Sequence, residues 1–194
     1  MIYSLKGRVQ ELTPTYAVLD VHGVGYYVAV SLQTSANIVT GAEVFLYTQQ
    51  IFREDAQLLY GFYTSEEKQM FNLLISVNGV GPASALIMLS SLSNSDIAAA
   101  IANGQSGILQ RVKGIGTKTA ERIIVDLRDK ISAFAAADEN ISTFADNKVL
   151  EEALSAVEVL GIPKKTSQKL AERLLKQDGS LTVEALVKQI LKSL

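Results

Sequence analysis

Two segments of the chain repeat a glycine-apolar-glycine pattern between stretches with helical periodicity. They are Gly79-Val80-Gly81 and, 35 positions later, Gly114-Ile115-Gly116. Glycine tolerates the positive φ that a tight turn requires, and the missing Cβ lets a phosphate approach the main chain. Amides at the N-terminus of the following helix then form an anion site. The pattern predicts two phosphate-binding hairpins, in which the amides of each apolar residue and of the glycine after it point outward.

Basic residues follow the second hairpin. Lys118 and Arg122 are one helical turn apart, so their side chains share a face and can contact a DNA backbone. The formal net charge of -2 argues against a nucleic-acid partner when taken as an average. The charge is segregated, however, because basic residues are concentrated in 111–130 and acidic ones in 138–158. One such hairpin could be a tight helix-helix turn without a ligand, but two copies with basic neighbours favour DNA binding.

Several catalytic and cofactor-binding classes do not fit the residues. A dinucleotide-binding loop needs a third glycine where Thr119 stands, and a strand before it rather than a helix. No phosphate-binding loop of the ATPase type occurs in the sequence. The chain has no cysteine, and its single histidine, His22, has no partner for a nucleophilic or metal site. We expect no catalytic residue, no metal and no cofactor.

Residues 1–62 alternate in short β-rich runs. The predicted strands are Ile2–Val9, Ala17–Val21, Val24–Val30, Glu43–Gln50 and Leu58–Phe62. His22-Gly23 is typical of a tight hairpin turn. Glu54 and Asp55 fall at an exposed tip, where such residues would ordinarily form a solvated polar turn. Five short antiparallel strands hide their edges by closure, which predicts a small barrel of the oligonucleotide-binding (OB) type.

Helical periodicity begins at Thr64. The run from Thr64 to Glu67 predicts a capping box, and Thr117 is predicted to cap a long helix that ends near Lys130. Recurrence of helix, glycine hairpin and helix indicates an internal duplication. Residues 132–146 are small and polar, as in a flexible linker. Three amphipathic helices are then predicted over 147–160, 164–177 and 182–194.

The predicted fold class is α+β with several domains. These are an OB-type barrel over 1–63, a tandem helix-hairpin-helix domain over 64–131, the linker over 132–146 and a three-helix bundle over 147–194. The chain is 48% hydrophobic, which indicates that copies of it bury surface against one another.

Three segments together closely resemble the RuvA family, the DNA-binding subunits of Holliday junction branch-migration complexes. They are Arg53–Phe62, Asn78–Pro82 and Gly114–Arg122. The resemblance extends over the whole chain in the family's order and includes a UBA-like C-terminal bundle. It implies a non-catalytic homotetramer that holds a four-way junction open and square, with an octamer on DNA as an open alternative. It also implies a cytoplasmic role in DNA recombination, DNA repair and the SOS response to DNA damage.

The same resemblance implies roles for residues outside the hairpins. Glu54 and Asp55 match an acidic pair of the family, a pin that repels phosphates at the junction centre and guides the strands. Val157, Leu160 and Ile162 match apolar positions that contact a hexameric RuvB-type ATPase. A RuvC-type resolvase is a further candidate partner.

The chain departs from the family at three positions. Ala83 and Thr117 stand where relatives carry lysine, so phosphate contacts there fall to main-chain amides or to Lys118 and Arg122. Ile162 replaces an aromatic residue, which keeps the apolar character of the expected contact with the motor.

Two alternative functions remain. Helix-hairpin-helix base-excision glycosylases carry a similar turn, and Asp126 or Asp129 could then be a catalytic carboxylate. No aromatic residue lies between Gly79 and Lys130 to stack on a flipped base, which disfavours that alternative. The second alternative is a single-strand binder whose barrel aromatics stack on bases, although we expect these residues to be barrel core. The aromatics concerned are Tyr26, Tyr27, Phe45 and Tyr47.

Overall fold

The structure, a computed structural model, describes residues 1–139, 145–177 and 181–193. It contains two compact units, Met1–Ala135 and Ala136–Leu194. The strands of the described chain are β1 (Ser4–Leu12), β2 (Tyr16–Val21), β3 (Val24–Val30), β4 (Glu43–Phe52) and β5 (Gln57–Phe62). The helices of the first unit begin with α1 (Leu32–Ala36), α2 (Ser65–Ile75), α3 (Pro82–Ser91), α4 (Asn94–Ala102) and α5 (Ser106–Leu109). The long helix α6 (Thr117–Glu139) comes next in the chain. The second unit contains α7 (Ala145–Val159), α8 (Lys164–Gln177) and α9 (Val183–Ser193).

The five strands close into a barrel in the order β1-β2-β3-β5-β4, which confirms the predicted barrel. Neighbouring strands are antiparallel except β3 and β5, which are parallel. Alternate side chains face inward, and Leu19, Val28 and Leu46 are completely buried there. His22 and Gly23 form the turn between β2 and β3 with φ of 52° and 87°, so the predicted hairpin turn is also confirmed.

The helical part of the first unit packs on the barrel through β5. Tyr60 and Phe62 contact Phe71 of α2, with ring centroids 5.1 and 4.9 Å away, respectively. The same hydrophobic cluster continues through Met88 of α3 and Ile123 of α6, both completely buried. Because one core spans β5 and the helices, the barrel and the helical hairpins are packed together rather than merely tethered.

Two short helices, α1 and α4, lie where no helix is predicted from the sequence. Each begins at a serine whose hydroxyl accepts a main-chain hydrogen bond. Ser31 accepts from the Thr34 amide at 3.0 Å, and Ser93 accepts from the Asp96 amide at 3.0 Å. Elements of five and nine residues are too short for a helical apolar period to stand out.

The long helix α6 ends at Glu139 instead of near Lys130. Residues 132–139 of the predicted linker are therefore helical, because they include several alanines, which have the highest helix propensity. Residues 140–144 of that linker lie outside the described residues, and its flexibility stays a prediction.

The second unit contains α7, α8 and α9, close to the three predicted helices. Their core includes Leu154, Val157, Leu186 and Ile190, each at most 2% exposed. In the part of the chain that the structure describes, no single helix is long and apolar enough to cross a membrane. The neighbouring helices α3 and α4 pass that test only when counted together, and they are bent by 103°.

Candidate nucleic-acid interface

The first hairpin connects α2 to α3 through a turn at Gly79. Gly79 has a φ of 94°, which a residue with a Cβ adopts only with strain. The Val80 amide donates to the Val77 carbonyl at 3.0 Å, and the Ala85 amide donates to the Gly81 carbonyl at 3.0 Å. Gly81 is the N-cap of α3. A glycine main chain therefore lies at the positive end of a helix.

The second hairpin connects α5 to α6 and repeats these hydrogen bonds. Gly114 has a φ of 90°. The Ile115 amide donates to the Val112 carbonyl at 3.1 Å, and the Ala120 amide donates to the Gly116 carbonyl at 2.9 Å. The two turns are thus built in the same way, at the N-termini of α3 and α6.

Residues 35 positions apart also have matching burial. The pairs are Leu74 and Leu109, Val77 and Val112, Val80 and Ile115, Ala85 and Ala120, and Met88 and Ile123, and all ten side chains are at most 5% exposed. This correspondence fits the internal duplication predicted from the sequence. It also shows how the hairpins are held, because the apolar residues before, within and after each turn are anchored in the core.

Two details of the hairpins correct the prediction. The amides of Val80 and Ile115 donate within their own turns, so they do not point outward. The side chains of Val80 and Ile115 are each 5% exposed and pack in the core, where they hold the turn against the helices. The Gly116 carbonyl accepts the first hydrogen bond of α6, so the cap is Gly116 and Thr117 is the first helical residue.

Gly81 and Gly116 present the free main chain. Both are exposed, and among the described residues no acceptor takes their amide hydrogens. A Cβ built on either glycine would meet no atom within 4 Å, and neither residue has a positive φ. Packing and backbone strain therefore do not require glycine at these two positions. The missing side chain instead leaves room for a group that approaches the helix N-terminus from outside.

The second hairpin has cations beside it. Lys118 and Arg122 are exposed in the first two turns of α6. Arg122 Nε lies 3.8 Å from Asp126 Oδ2 in an ion pair whose side chains are about half exposed. An exposed pair of this kind is weak, so Arg122 can exchange Asp126 for a phosphate.

The first hairpin has no cation close to it in the sequence. Between Arg53 and Arg111 the sequence contains one cation, Lys68. Lys68 is only 6% exposed, and its Nζ lies 3.4 Å from the centroid of the Tyr3 ring. Burial lowers the pKa of Lys68. The residues of the first hairpin itself therefore offer an anion neutral main-chain donors and the helix dipole.

The predicted acidic tip lies between β4 and β5. Glu54 and Asp55 are both exposed there. The tip is closed by the Arg53 amide, which donates to the Ala56 carbonyl at 2.8 Å. The two carboxylates therefore lie at the end of a β-hairpin of the barrel, and among the described residues neither makes an ion pair.

The carboxylates considered for a glycosylase lie on an open helix surface. Asp126 is paired with Arg122, and Asp129 is exposed on the same helix. A catalytic carboxylate in a base-binding pocket would be enclosed, so this placement disfavours the glycosylase. In the described ranges, no group of three or more His, Asp or Glu side chains could hold a metal ion.

The barrel aromatics are less buried than expected. Tyr27 is 61% exposed and Phe45 is 45% exposed, so the prediction that they are core is wrong for both. Each occupies an outward position of its strand, because the neighbouring residues Val28 and Val44 face the core. Tyr27 is stacked on Tyr16 with ring centroids 4.6 Å apart.

The three residues expected to contact a motor have different environments. Val157 is completely buried in the core of the three-helix bundle, so it is not available to a partner, which corrects the prediction. Leu160 is 60% exposed, and Ile162 is half-buried against the same core. Val159, which the sequence reasoning missed, is 85% exposed. Val159 lies outside the apolar face of α7, and this position in the helical period is the signal that could have identified it as an exposed apolar residue.

The sequence matches two family models in the first unit. One is the RuvA N terminal domain, over residues 1–61. The other is the SAM-like helix-hairpin-helix tandem, over residues 71–129. The second match contains both glycine hairpins.

Three curated relatives are similar over their entire length, and each is named "Holliday junction branch migration complex subunit RuvA". The protein of Christiangramia forsetii is 44% identical over 194 residues, and that of Flavobacterium psychrophilum is 43% identical over 194 residues. The protein of Porphyromonas gingivalis is 44% identical over 202 residues. In each comparison 100% of this chain and 100% of the relative are covered. This chain therefore belongs to the RuvA family.

Proposed function

We propose that this chain is the junction-binding subunit of a Holliday junction branch-migration complex. The observation that carries the proposal is the pair of equivalent hairpins, each with an exposed glycine whose amide lacks an acceptor among the described residues. The names of the relatives agree with this assignment. On this proposal the chain is a DNA-binding protein of recombination and repair in the cytoplasm, and it catalyses no reaction itself.

The hairpins bind the phosphate backbone of the junction arms. In each hairpin the free glycine amide and the helix N-terminus face a phosphate oxygen. Lys118 and Arg122 add charge at the second hairpin, whereas the first binds through neutral donors. None of these groups reads base edges, so the binding is independent of sequence.

The barrel tip contributes repulsion instead of attraction. Glu54 and Asp55 act as an acidic pin that keeps phosphates away from the junction centre. In a homotetramer, four such pairs meet at the symmetry axis, which matches the symmetry of an open four-way junction. The pin separates and guides the exchanging strands without bond chemistry.

The domain boundaries proposed above assign separate tasks. Residues 1–63 carry the pin, 64–131 carry the hairpins, and 147–194 bind a hexameric RuvB-type ATPase that supplies the work. The exposed apolar side chains of Val159 and Leu160, with half-buried Ile162 beside them, support a contact with that motor. A RuvC-type resolvase is a candidate for a further partner.

Competition binding tests the proposal. A labelled four-way junction is displaced by unlabelled junction, by linear duplex or by single strands of the same sequence, at one fixed salt concentration. We expect the junction to compete best and single strands worst. Equal competition by all three would contradict the proposal, and best competition by single strands would favour the barrel aromatics as the binding surface. The mass of the protein with and without the junction distinguishes a tetramer from an octamer.

A further inference from the structure

A buried polar cluster lies where the barrel leads into the helical hairpins. Its three side chains, Ser31, Thr34 and Glu67, are 0%, 0% and 3% exposed. Ser31 and Thr34 belong to the start of α1, on the barrel side, whereas Glu67 belongs to the first turn of α2. Tyr63 is part of the short link between β5 and α2. The cluster therefore joins the two sides of this link.

The hydrogen bonds of the cluster have a fixed direction. The Ser31 hydroxyl accepts from the Thr34 amide at 3.0 Å and donates to Glu67 Oε1. The Thr34 hydroxyl accepts from the Tyr63 amide at 2.9 Å and donates to Glu67 Oε2 at 2.6 Å. A hydroxyl has one hydrogen to give, and both hydroxyls give it to the same carboxylate. Each carboxylate oxygen is thus satisfied from the barrel side.

Capping of α2 does not account for this arrangement. The Thr64 hydroxyl accepts from the Glu67 amide at 3.2 Å, which is one half of the capping box predicted from the sequence. In the other half, the Glu67 side chain would accept from the Thr64 amide. The carboxylate instead turns to Ser31 and Thr34. Burying a carboxylate is costly unless it is hydrogen-bonded, and the hydroxyls that bond to the Glu67 carboxylate come from the barrel side.

Helix α1 is also hydrogen-bonded to α3 and to the residue after it. The Leu32 amide donates to Ser90 Oγ at 3.1 Å, and Gln33 Nε2 donates to the Leu92 carbonyl at 2.7 Å. Helix α3 is the helix that begins at the first hairpin. The short helix α1 on the barrel side is thus held by hydrogen bonds to both α2 and the C-terminal end of α3.

We propose that Glu67 is a positioning residue that fixes the barrel against the hairpin domain, and that this fixed arrangement gives the chain its preference for four-way junctions over linear duplex. The inference rests on the proposed function. A duplex arm needs only the hairpins. In an open junction the repulsive acidic tip must lie at the centre, because a displaced tip would place its carboxylates against the phosphates of the arms. When the barrel is loose, only the correctly oriented fraction of molecules binds a junction, and the apparent affinity falls by that fraction.

The test compares Glu67→Ala and Thr34→Val with matched controls. Glu66→Ala removes the same charge from the same helical turn, but Glu66 is exposed. Thr34→Ser keeps the hydroxyl. Dissociation constants are measured for a four-way junction and for a linear duplex of one arm, at the same salt concentration. Hydrogen exchange of the Tyr63 amide is followed in the DNA-free protein.

We expect Thr34→Val to lower the ratio of junction to duplex affinity by about tenfold, the effect of losing one charge-assisted hydrogen bond. Glu67→Ala loses two such bonds and should lower the ratio at least as far. Duplex affinity should stay at the parent value in both variants. The Tyr63 amide should exchange faster in Glu67→Ala, which keeps the Thr34 hydroxyl that accepts from this amide. Both controls should keep the parent ratio.

An unchanged ratio in a Glu67→Ala protein whose Tyr63 amide exchanges faster would overturn the inference. So would a parallel loss of junction and duplex affinity, because Glu67 would then support the hairpins themselves. If Glu67→Ala does not fold, Glu67→Gln, which keeps the side-chain volume, decides between these outcomes. A parent protein that shows no preference for junctions would instead refute the proposed function.

Discussion

Replacing Gly116 with alanine separates DNA binding from folding. A Cβ at this position meets no atom within 4 Å, and its φ is not positive. Gly→Ala at an unstrained position stabilises a protein by about 0.4–1 kcal/mol, because the unfolded chain loses freedom, but alanine is less favourable than glycine at a helix N-cap by a similar amount. The added methyl group nevertheless occupies the space in which a phosphate approaches the free amide. The two effects on stability nearly cancel, so we expect Gly116→Ala to be about as stable as the parent, yet to bind a junction less tightly.

The size of the loss follows from the proposed tetramer. One contact of a phosphate with a helix N-terminus contributes about 0.3–1 kcal/mol. Four subunits on one junction would then lose roughly 1–4 kcal/mol, which is roughly a tenfold to thousandfold weaker affinity. The contact is made by a neutral amide, so the slope of log affinity against log salt should not change.

Two controls accompany this variant. Gly107→Ala also adds a methyl group in open space without a positive φ, but in helix α5 rather than in either glycine turn, and it should leave junction binding unchanged. Gly114→Ala places a Cβ at a φ of 90° and should destabilise the protein by about 1–2 kcal/mol. Equilibrium unfolding in denaturant and fluorescence titration of a labelled junction measure the two effects. Parent-like binding by a folded Gly116→Ala protein would refute the reasoning.

Three further predictions concern the other parts of the proposed site. The double variant Lys118→Ala, Arg122→Ala should weaken junction binding and lower the salt slope by about 0.9 for each phosphate that is no longer neutralised, so an unchanged slope would exclude both residues. The double variant Glu54→Ala, Asp55→Ala should bind a junction equally well or better while changing the rate of branch migration, and a large loss of affinity would contradict a repulsive pin. Deleting residues 147–194 should preserve junction binding and abolish stimulation of the motor ATPase, whereas surviving stimulation would place the motor contact elsewhere.

Much of the fold follows from local sequence signals. Alternation predicts all five strands, and His22-Gly23 identifies one hairpin turn, because a two-residue turn with positive φ admits few residue types. The glycine hairpins are recognisable for the same reason. Their repetition at a constant spacing adds information that a single copy lacks.

The features that the sequence does not reveal depend on contacts between distant segments. The partner of Glu67 lies more than thirty positions earlier, at Ser31 and Thr34, so a capping pattern alone cannot show where the carboxylate turns. The prediction of outward amides wrongly includes the apolar residue of each hairpin, because the residue types of a turn do not show which of its amides donate within it.

The central claim is that DNA phosphates contact the main chain of the two glycine hairpins. Hydrogen exchange of the amides at Gly81 and Gly116, measured with and without a bound four-way junction, tests it most directly. We predict that both amides exchange markedly more slowly in the complex, since each gains an acceptor. Protection confined to the barrel around Tyr27, with both hairpin amides exchanging as in the free protein, would contradict the claim.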